Sequence, residues 1–326
     1  MTQIPKEQVV YCEQCMVPLH VRCANHCTSC GKILCDSCYA DNDFMCEDCH
    51  TPEEDFTTIR RSYLEQYSGC PYSLMLQLVK GITPPMGSHA QLGVIVHELI
   101  DKISKDEKVT QTAAHSELED RIIEWNLETD DEYSIITDEL QSIGHICLDN
   151  FWLIKDQFIS DFVAEHQIKF SLDEDLPMVS CTLDRISFVG DDIIINDWKT
   201  GKPMSGKKLT TDLQAPLYIY AVYSEYGKMP KSFNLHYLHP NKTISFVKTG
   251  DMEYTVKTTR SEYKLDVEEA LERTKRILKN IKNKHFPMVE GKDQWRCSTL
   301  CWFGKNGKCS GGLQEQWKAV NESYAA

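Results

Sequence analysis

The sequence predicts an α/β domain, a small central sheet with helices on both sides, preceded by a small module stapled by metal. Three observations carry that prediction. Nine of the 15 cysteines fall between Cys12 and Cys49. Beyond them, segments of helical apolar spacing alternate with β-branched runs. The composition, 41% hydrophobic and 26% charged, is that of a globular protein that buries a core. The change in composition at "HTPEEDF", His50 to Phe56, divides the chain into a module over 1–55 and a domain over 56–326.

No apolar run approaches the length that spans a bilayer. The opening "MTQIPKEQVVYCEQC" lacks the basic-then-apolar pattern of a signal peptide. A cytoplasmic protein is expected, and in a reducing compartment clustered cysteines bind metal more often than they form disulfides.

The module contains four C-x-x-C pairs: Cys12/Cys15, Cys27/Cys30, Cys35/Cys38 and Cys46/Cys49. Each pair lets two thiolates reach one ion from a tight turn, and two pairs complete a tetrahedral zinc site. Eight such ligands imply two Zn²⁺, whose binding would supply most of the folding free energy of so short a segment. The gap between Cys30 and Cys35 favours an interleaved cross-brace. Cys12, Cys15, Cys35 and Cys38 would hold one ion, and Cys27, Cys30, Cys46 and Cys49 the other. Cys23, His20 and His26 remain as alternative ligands. The stretch "HCTSCGKILCDSC" resembles the middle of FYVE-type zinc fingers, without their basic lipid-binding patch, since "VRCANHC" carries only Arg22. A module of this size docks a partner or nucleic acid.

In the large domain, "FTTIRRSYLEQYSGCPYSLMLQLVKG" reads as helix, interrupted near Gly69–Pro71. "HAQLGVIVHELIDKIS" is a second amphipathic helix, and 112–161 reads as acid-rich helices. The period then changes. "FVAEHQIKFSL", "MVSCTLDRISFVG" and "DIIINDWK" are strands, with a turn at Gly190–Asp192. "TDLQAPLYIYAVYSEYG" returns to helix, "SFNLHYLHP" and "TISFVKTG" form a hairpin across "HPNK", and "VEEALERTKRILKNIKNKH" is a long helix.

Asp197 and Lys199 point to one face of their strand while Trp198 faces away. Asp184 lies thirteen residues earlier, and the intervening turn brings it near Asp197. Two carboxylates converging beside a lysine are costly unless a hard cation joins them, and oxygen ligands suit Mg²⁺ or Mn²⁺. The lysine could then orient a water and carry charge on a phosphate. The bland alternative is an ion pair of Asp184 with Arg185 or Lys199.

The stretch "LDRISFVGDDIIINDWKTGK" resembles the core motif of the PD-(D/E)XK nuclease superfamily, in its RecB-like, CRISPR-adaptation-type exonuclease branch. Three further segments resemble that branch in the expected order, over roughly residues 60–312. "GVIVHEL" resembles the helix that presents a metal-binding histidine, here His97. "QAPLYIY" resembles the Q-x-x-x-Y motif, here Gln214 and Tyr218. "YSGCPYSLML" with "CSTLCWFGKNGKC" resembles the cysteine set of a [4Fe–4S] cluster, here Cys70, Cys297, Cys301 and Cys309. Zinc at the same four positions and buried free thiols are the alternatives.

The resemblance implies a restriction-endonuclease-like core around a central mixed sheet flanked by helices. It implies a Mg²⁺- or Mn²⁺-dependent deoxyribonuclease acting on DNA ends or single strands, in recombination, repair or DNA processing. The ligands would be His97, Asp184, Asp197 and the carbonyl of Trp198, with Glu165 as a further carboxylate. Lys199, Gln214 and Tyr218 would complete the site.

The net charge of −14 argues against nonspecific binding of nucleic acid over the whole surface. Six Lys/Arg and no acid lie between Arg273 and Lys284, however, and "KTGKPMSGKK" adds Lys202, Lys207 and Lys208. Lys202, Lys207, Lys208, Arg273, Arg276 and Lys279 are the candidate DNA contacts. The chain has no Walker A motif, so any unwinding must come from a helicase or recombination partner, for which the zinc module is the candidate dock. A noncatalytic DNA-binding or partner-docking protein on the same fold is the alternative function.

Overall fold

The computed structural model describes residues 56–288, apart from 107, 129–136, 159, 205 and 259–260, together with 297, 301–306 and 309. Before residue 56 it describes only four short strands. The chain divides into two units, one of Met1–Asp55 with Tyr72–Thr83 and one of the rest.

In the first unit, β1 (Val9–Tyr11) pairs antiparallel with β2 (Pro18–His20), and β3 (Asn25–His26) with β4 (Ile33–Leu34). The eight expected zinc ligands, Cys12, Cys15, Cys27, Cys30, Cys35, Cys38, Cys46 and Cys49, lie outside the described residues.

The second unit is an eight-stranded mixed sheet with helices. Its elements run β5 (Thr58–Arg60), α1 (Arg61–Gly69), then α2 (Pro71–Leu78), of which only Pro71 belongs here. Next come α3 (Ser88–Lys105), α4 (Gln111–Glu128) and α5 (Thr137–Ile154). The long hairpins β6 (Asp161–Phe170), β7 (Met178–Val189) and β8 (Asp192–Lys199) follow. Then come α6 (Lys208–Thr211), α7 (Gln214–Tyr226), β9 (Ser232–Tyr237), β10 (Lys242–Lys248), β11 (Glu253–Lys257), β12 (Glu262–Asp266), α8 (Val267–Lys282) and a short α9 (Trp302–Lys305). Among the described residues no helix is long and apolar enough to cross a membrane.

The sheet order is β12-β11-β10-β9-β8-β7-β5, with β6 on the remaining edge of β7. The β8/β9 and β5/β7 pairs are parallel and the others antiparallel. Two differences from the sequence reading stand out. The sheet is larger than expected, because β11 and β12 extend it. Thr58–Arg60 is a strand rather than the start of a helix, since its backbone completes a ladder with Met178–Ser180. Local spacing cannot register such a long-range partner.

Local chemistry explains the boundaries. The β7–β8 turn passes through Gly190 at φ 58°, a conformation that glycine adopts without cost. Asp266 caps α8 by accepting from the Glu269 N–H at 2.9 Å. Glu268 and Glu269 in its first turn and Lys279 and Lys282 in its last match the helix dipole. On one side of the sheet α3, α4 and α5 enclose a core of Leu92, Val96, Leu99, Leu118, Leu148 and Phe151, joined by Trp198 of β8 and by Leu238 just after β9.

Candidate active site

The site forms where the sheet opens. On one edge of β7, residues 185–189 pair with β8 and residues 178–180 pair with β5. The β7/β8 ladder ends at Arg185↔Asn196, and continuing its register sets Asp184 against Asp197. On the other edge, the β6/β7 ladder skips one position, at which Glu165 would face Asp184. Glu165 has φ 50°, a conformation disfavoured for any residue with a Cβ. The fold thus holds three carboxylates at one opening, two of them on directly opposed strand positions where like charges repel.

His97 comes from α3. A Cβ added to Gly93, one turn earlier, would meet Thr200 Oγ1 at 3.4 Å, so this helix lies close against the end of β8. His97 Nδ1 is 3.4 Å from Asp184 Oδ2. One donor atom from each of His97, Glu165 and Asp184 lies within 4.8 Å of the other two. Asp184 Oδ2 also accepts from the Trp198 N–H at 2.7 Å. Arg185 takes no part, because its guanidinium turns to Ser187 Oγ and the Phe158 carbonyl.

Asp197 is 1% exposed. Its Oδ1 accepts from Gln214 Nε2 at 2.6 Å, at the first residue of α7. Its Oδ2 lies 2.7 Å from Lys199 Nζ but off the hydrogen-bonding direction, so this buried oxygen has a cation beside it and no directed donor. Burial pushes the Asp197 carboxyl up to about 6, with Lys199 opposing and Asp184 reinforcing the shift. Burial works against the Asp184 charge too, yet His97, Lys199 and the Trp198 N–H outweigh it and hold Asp184 below the usual carboxylate range. Burial and Asp184 together raise Glu165. Burial disfavours the charged forms of His97 and Lys199, but the aspartates prevail and raise both. Such a set, with imidazole and carboxylate donors converging beside the buried Asp197 carboxylate, fits a hard divalent cation.

Tyr218 lies one turn beyond Gln214, and burial raises its phenol well above normal with Asp197 adding to the effect. Three neighbours escaped the sequence reading. Arg61 stands with its Cζ 5.6 Å from the Tyr218 ring centroid and pairs with Glu65. Burial raises the Glu65 carboxyl against the pull of Arg61, and the neighbouring Asp212 adds to the rise. Asp212 in turn accepts from the Gln214 N–H at 2.9 Å. The i,i+4 spacing of Arg61 and Glu65 was visible, but reading Thr58–Arg60 as helix hid the junction that places them.

Lys202, Lys207 and Lys208 are exposed on the loop and helix after β8. Arg273 donates to the Thr211 carbonyl at 2.6 Å and so ties α8 to the end of α6. Arg276 and Lys279 line a cleft of about 410 Å³ with Lys275, Lys282, Asp173 and Asp175. Cys70 ends α1. Burial raises the Cys309 thiol to about 12, and the charges of Cys301, Cys70 and Cys297 add to it. Burial likewise raises Cys297, with Cys70 and Cys301 contributing. A Cβ on Gly304 would lie 1.9 Å from the Cys297 carbonyl oxygen, so only glycine lets α9 approach that cysteine.

No curated protein matches the chain. A solved structure described as "Crystal structure of SSO0001" is similar at 13% identity over 78% of this chain and 88% of that one, with a TM-score of 0.31, too slight to bear on function. The model of the PD-(D/E)XK nuclease superfamily matches residues 61–304, which include His97, Glu165, Asp184, Asp197 and Lys199. The chain belongs to the PD-(D/E)XK nuclease superfamily, a family of metal-dependent nucleases.

Proposed function

We propose that the protein is a Mg²⁺- or Mn²⁺-dependent deoxyribonuclease that acts on DNA ends or single strands. The observation that carries this reading is the opening in the sheet. His97, Glu165 and Asp184 converge there, beside the buried Asp197 oxygen that has no directed donor. His97, Asp184, Asp197 and the Trp198 carbonyl would hold the ion, with Glu165 at its exposed side. The bound ion would supply Lewis acidity toward the scissile phosphate.

The residues of the chain do the rest. Gln214 fixes the orientation of Asp197. Lys199, held charged by the two aspartates, orients the attacking water and offsets negative charge on the phosphate. Arg276 and Lys279, with Lys202, Lys207 and Lys208, would guide the backbone of the strand.

Cys70, Cys297, Cys301 and Cys309 would hold a [4Fe–4S] cluster joining the two ends of the domain, a reading supported by the mutual electrostatic influence of these thiols. The cysteine-rich module would hold two Zn²⁺ and dock a helicase or recombination partner.

The test is degradation of end-labelled single- and double-stranded DNA by anaerobically purified protein with Mg²⁺ or Mn²⁺, beside Lys199→Ala. Metal-dependent cleavage that the variant loses supports the reading and reports the preferred substrate. Absence of cleavage by folded, metal-loaded protein refutes it in favour of a noncatalytic DNA-binding role. Iron, sulfide and zinc content of the same sample separates a cluster from zinc at the C-terminal cysteines.

A further inference from the structure

β5 ends at Arg60, and α1 begins at Arg61 beside the gap that β7 leaves between its β5 and β8 ladders. Arg61 is therefore delivered to the site by a strand-to-helix junction rather than by a mobile loop. Its Nη1 lies 2.5 Å from Glu65 Oε1, and its Cζ stands over the Tyr218 ring. Among the described residues the other guanidinium nitrogens meet no acceptor, and 19% of the side chain stays open.

Glu65 occupies one nitrogen of this fork and leaves the others to a ligand. Asp212 stands beside Glu65, where burial and the charges of Arg61 and Asp212 act on the same carboxyl. Asp212 is held in place by the Gln214 N–H, and Gln214 holds Asp197. Arg61 is thus a fixed cation on a chain of contacts that ends at the catalytic aspartate. Lys199 is already engaged with Asp197 at 2.7 Å. A phosphodiester gains negative charge as it passes to its transition state, and a planar fork of N–H donors matches two phosphate oxygens better than an ammonium does.

We propose that Arg61 is a catalytic residue of this site, donating hydrogen bonds to the non-bridging oxygens of the scissile phosphate. The proposal rests on the nuclease reading above. Water forms the new P–O bond and gives up a proton to solvent, the bond to the leaving sugar oxygen breaks and that oxygen takes a proton from solvent, and Arg61 keeps all its protons throughout.

The experiment compares wild type, Arg61→Met and Arg61→Lys in three measurements: steady-state cleavage of end-labelled DNA with Mg²⁺, Mn²⁺ binding to the DNA-free protein by electron paramagnetic resonance, and thermal stability. Arg61→Met is expected to lower kcat about 100-fold with little change in KM. Its Mn²⁺ affinity should be unchanged or tighter, because a cation whose charge acts on Asp197 has been removed. Arg61→Lys, which keeps charge without the fork, should recover part of kcat; it also carries the test if the methionine variant does not fold. Cleavage by either variant within about threefold of wild type overturns the proposal and leaves the nuclease reading intact. So does a loss of kcat matched by an equal loss of Mn²⁺ affinity, the signature of a structural role. A wild type that fails to cleave any DNA overturns both.

Discussion

The two faces of β8 bury polar groups in opposite ways. On one face Asn196 Oδ1 accepts from Asn234 Nδ2 and from His236 Nε2, both at 3.0 Å, and Asn196 Nδ2 donates to Ser187. His236 Nδ1 accepts from Thr243, and its ring stacks on Trp198 at 4.9 Å. Every member of that network has its partner, and burial lowers His236 to about 4, so the ring stays neutral. On the other face Asp197 Oδ2 lacks a directed donor, and Glu165 sits at positive φ opposite Asp184. Buried polarity that is fully satisfied builds structure, whereas buried polarity left unsatisfied by the protein is a place for a ligand.

The largest expected effect breaks the comparison at its charged side. Lys199→Ala or Asp197→Asn should lower cleavage by about 10³-fold or more, read as kcat with Mg²⁺. Asp197→Asn should at the same time stabilise the metal-free protein by on the order of 1–3 kcal/mol at neutral pH. The folded carboxyl ionises at about 6 and the unfolded one near its usual value. The ionised form therefore costs the metal-free fold stability that is lost as pH rises between those values. A metal-free Asp197→Asn protein that melts below wild type at neutral pH would contradict this.

On the satisfied face the sign is opposite. His236 has its folded value lowered, so protonation favours the unfolded chain. Stability should fall as pH drops from about 6.5 to about 4, by about 3 kcal/mol at full effect. His236→Leu should cost about 1 kcal/mol at neutral pH by removing the hydrogen bonds to Asn196 and Thr243, yet flatten that acid limb. Urea titrations of the metal-free protein at several pH values would separate the two faces. If both variants shift the profile in the same direction, the contrast is wrong.

Proton and metal should also compete on the charged face. Mn²⁺ affinity should rise with pH through about 6, where Asp197 ionises, and on beyond the ordinary imidazole range, because His97, whose value is raised, must lose its proton to ligate. Isothermal titration at pH 5 and 7.5 reads this directly. The smallest effect is at Glu165. Glu165→Gly should relieve the positive φ and stabilise the metal-free protein by about 1 kcal/mol, while weakening Mn²⁺ binding. Weaker stability in that variant would mean that Glu165 supports the fold rather than the ion.

Much of this site was legible in the chain. A period of two puts Asp197 and Lys199 on one face, and the Gly190 turn sets Asp184 against Asp197 in register. Gln214 was legible as a motif residue, though its bond to Asp197 was not. The spacing of Arg61 and Glu65 was legible, but the place of Arg61, Glu65 and Asp212 beside the site was not. Their role depends on β5 pairing in parallel with a strand more than a hundred residues away, and no local pattern encodes such a partner. The extension of the sheet by β11 and β12 was missed for the same reason, since alternating polar and apolar residues there acquire meaning only against a neighbouring strand.

The sequence by itself determined which polar side chains share a face of a strand or helix, because side-chain periodicity in helices and strands is a property of the backbone. Only the tertiary structure decided where the sheet opens. That opening exists because β5 and β8 share one edge of β7 and leave a gap between them. It sets which carboxylate oxygen is left without a donor and which arginine stands beside it, and such long-range geometry is fixed by packing and ladder register rather than by neighbours in the chain.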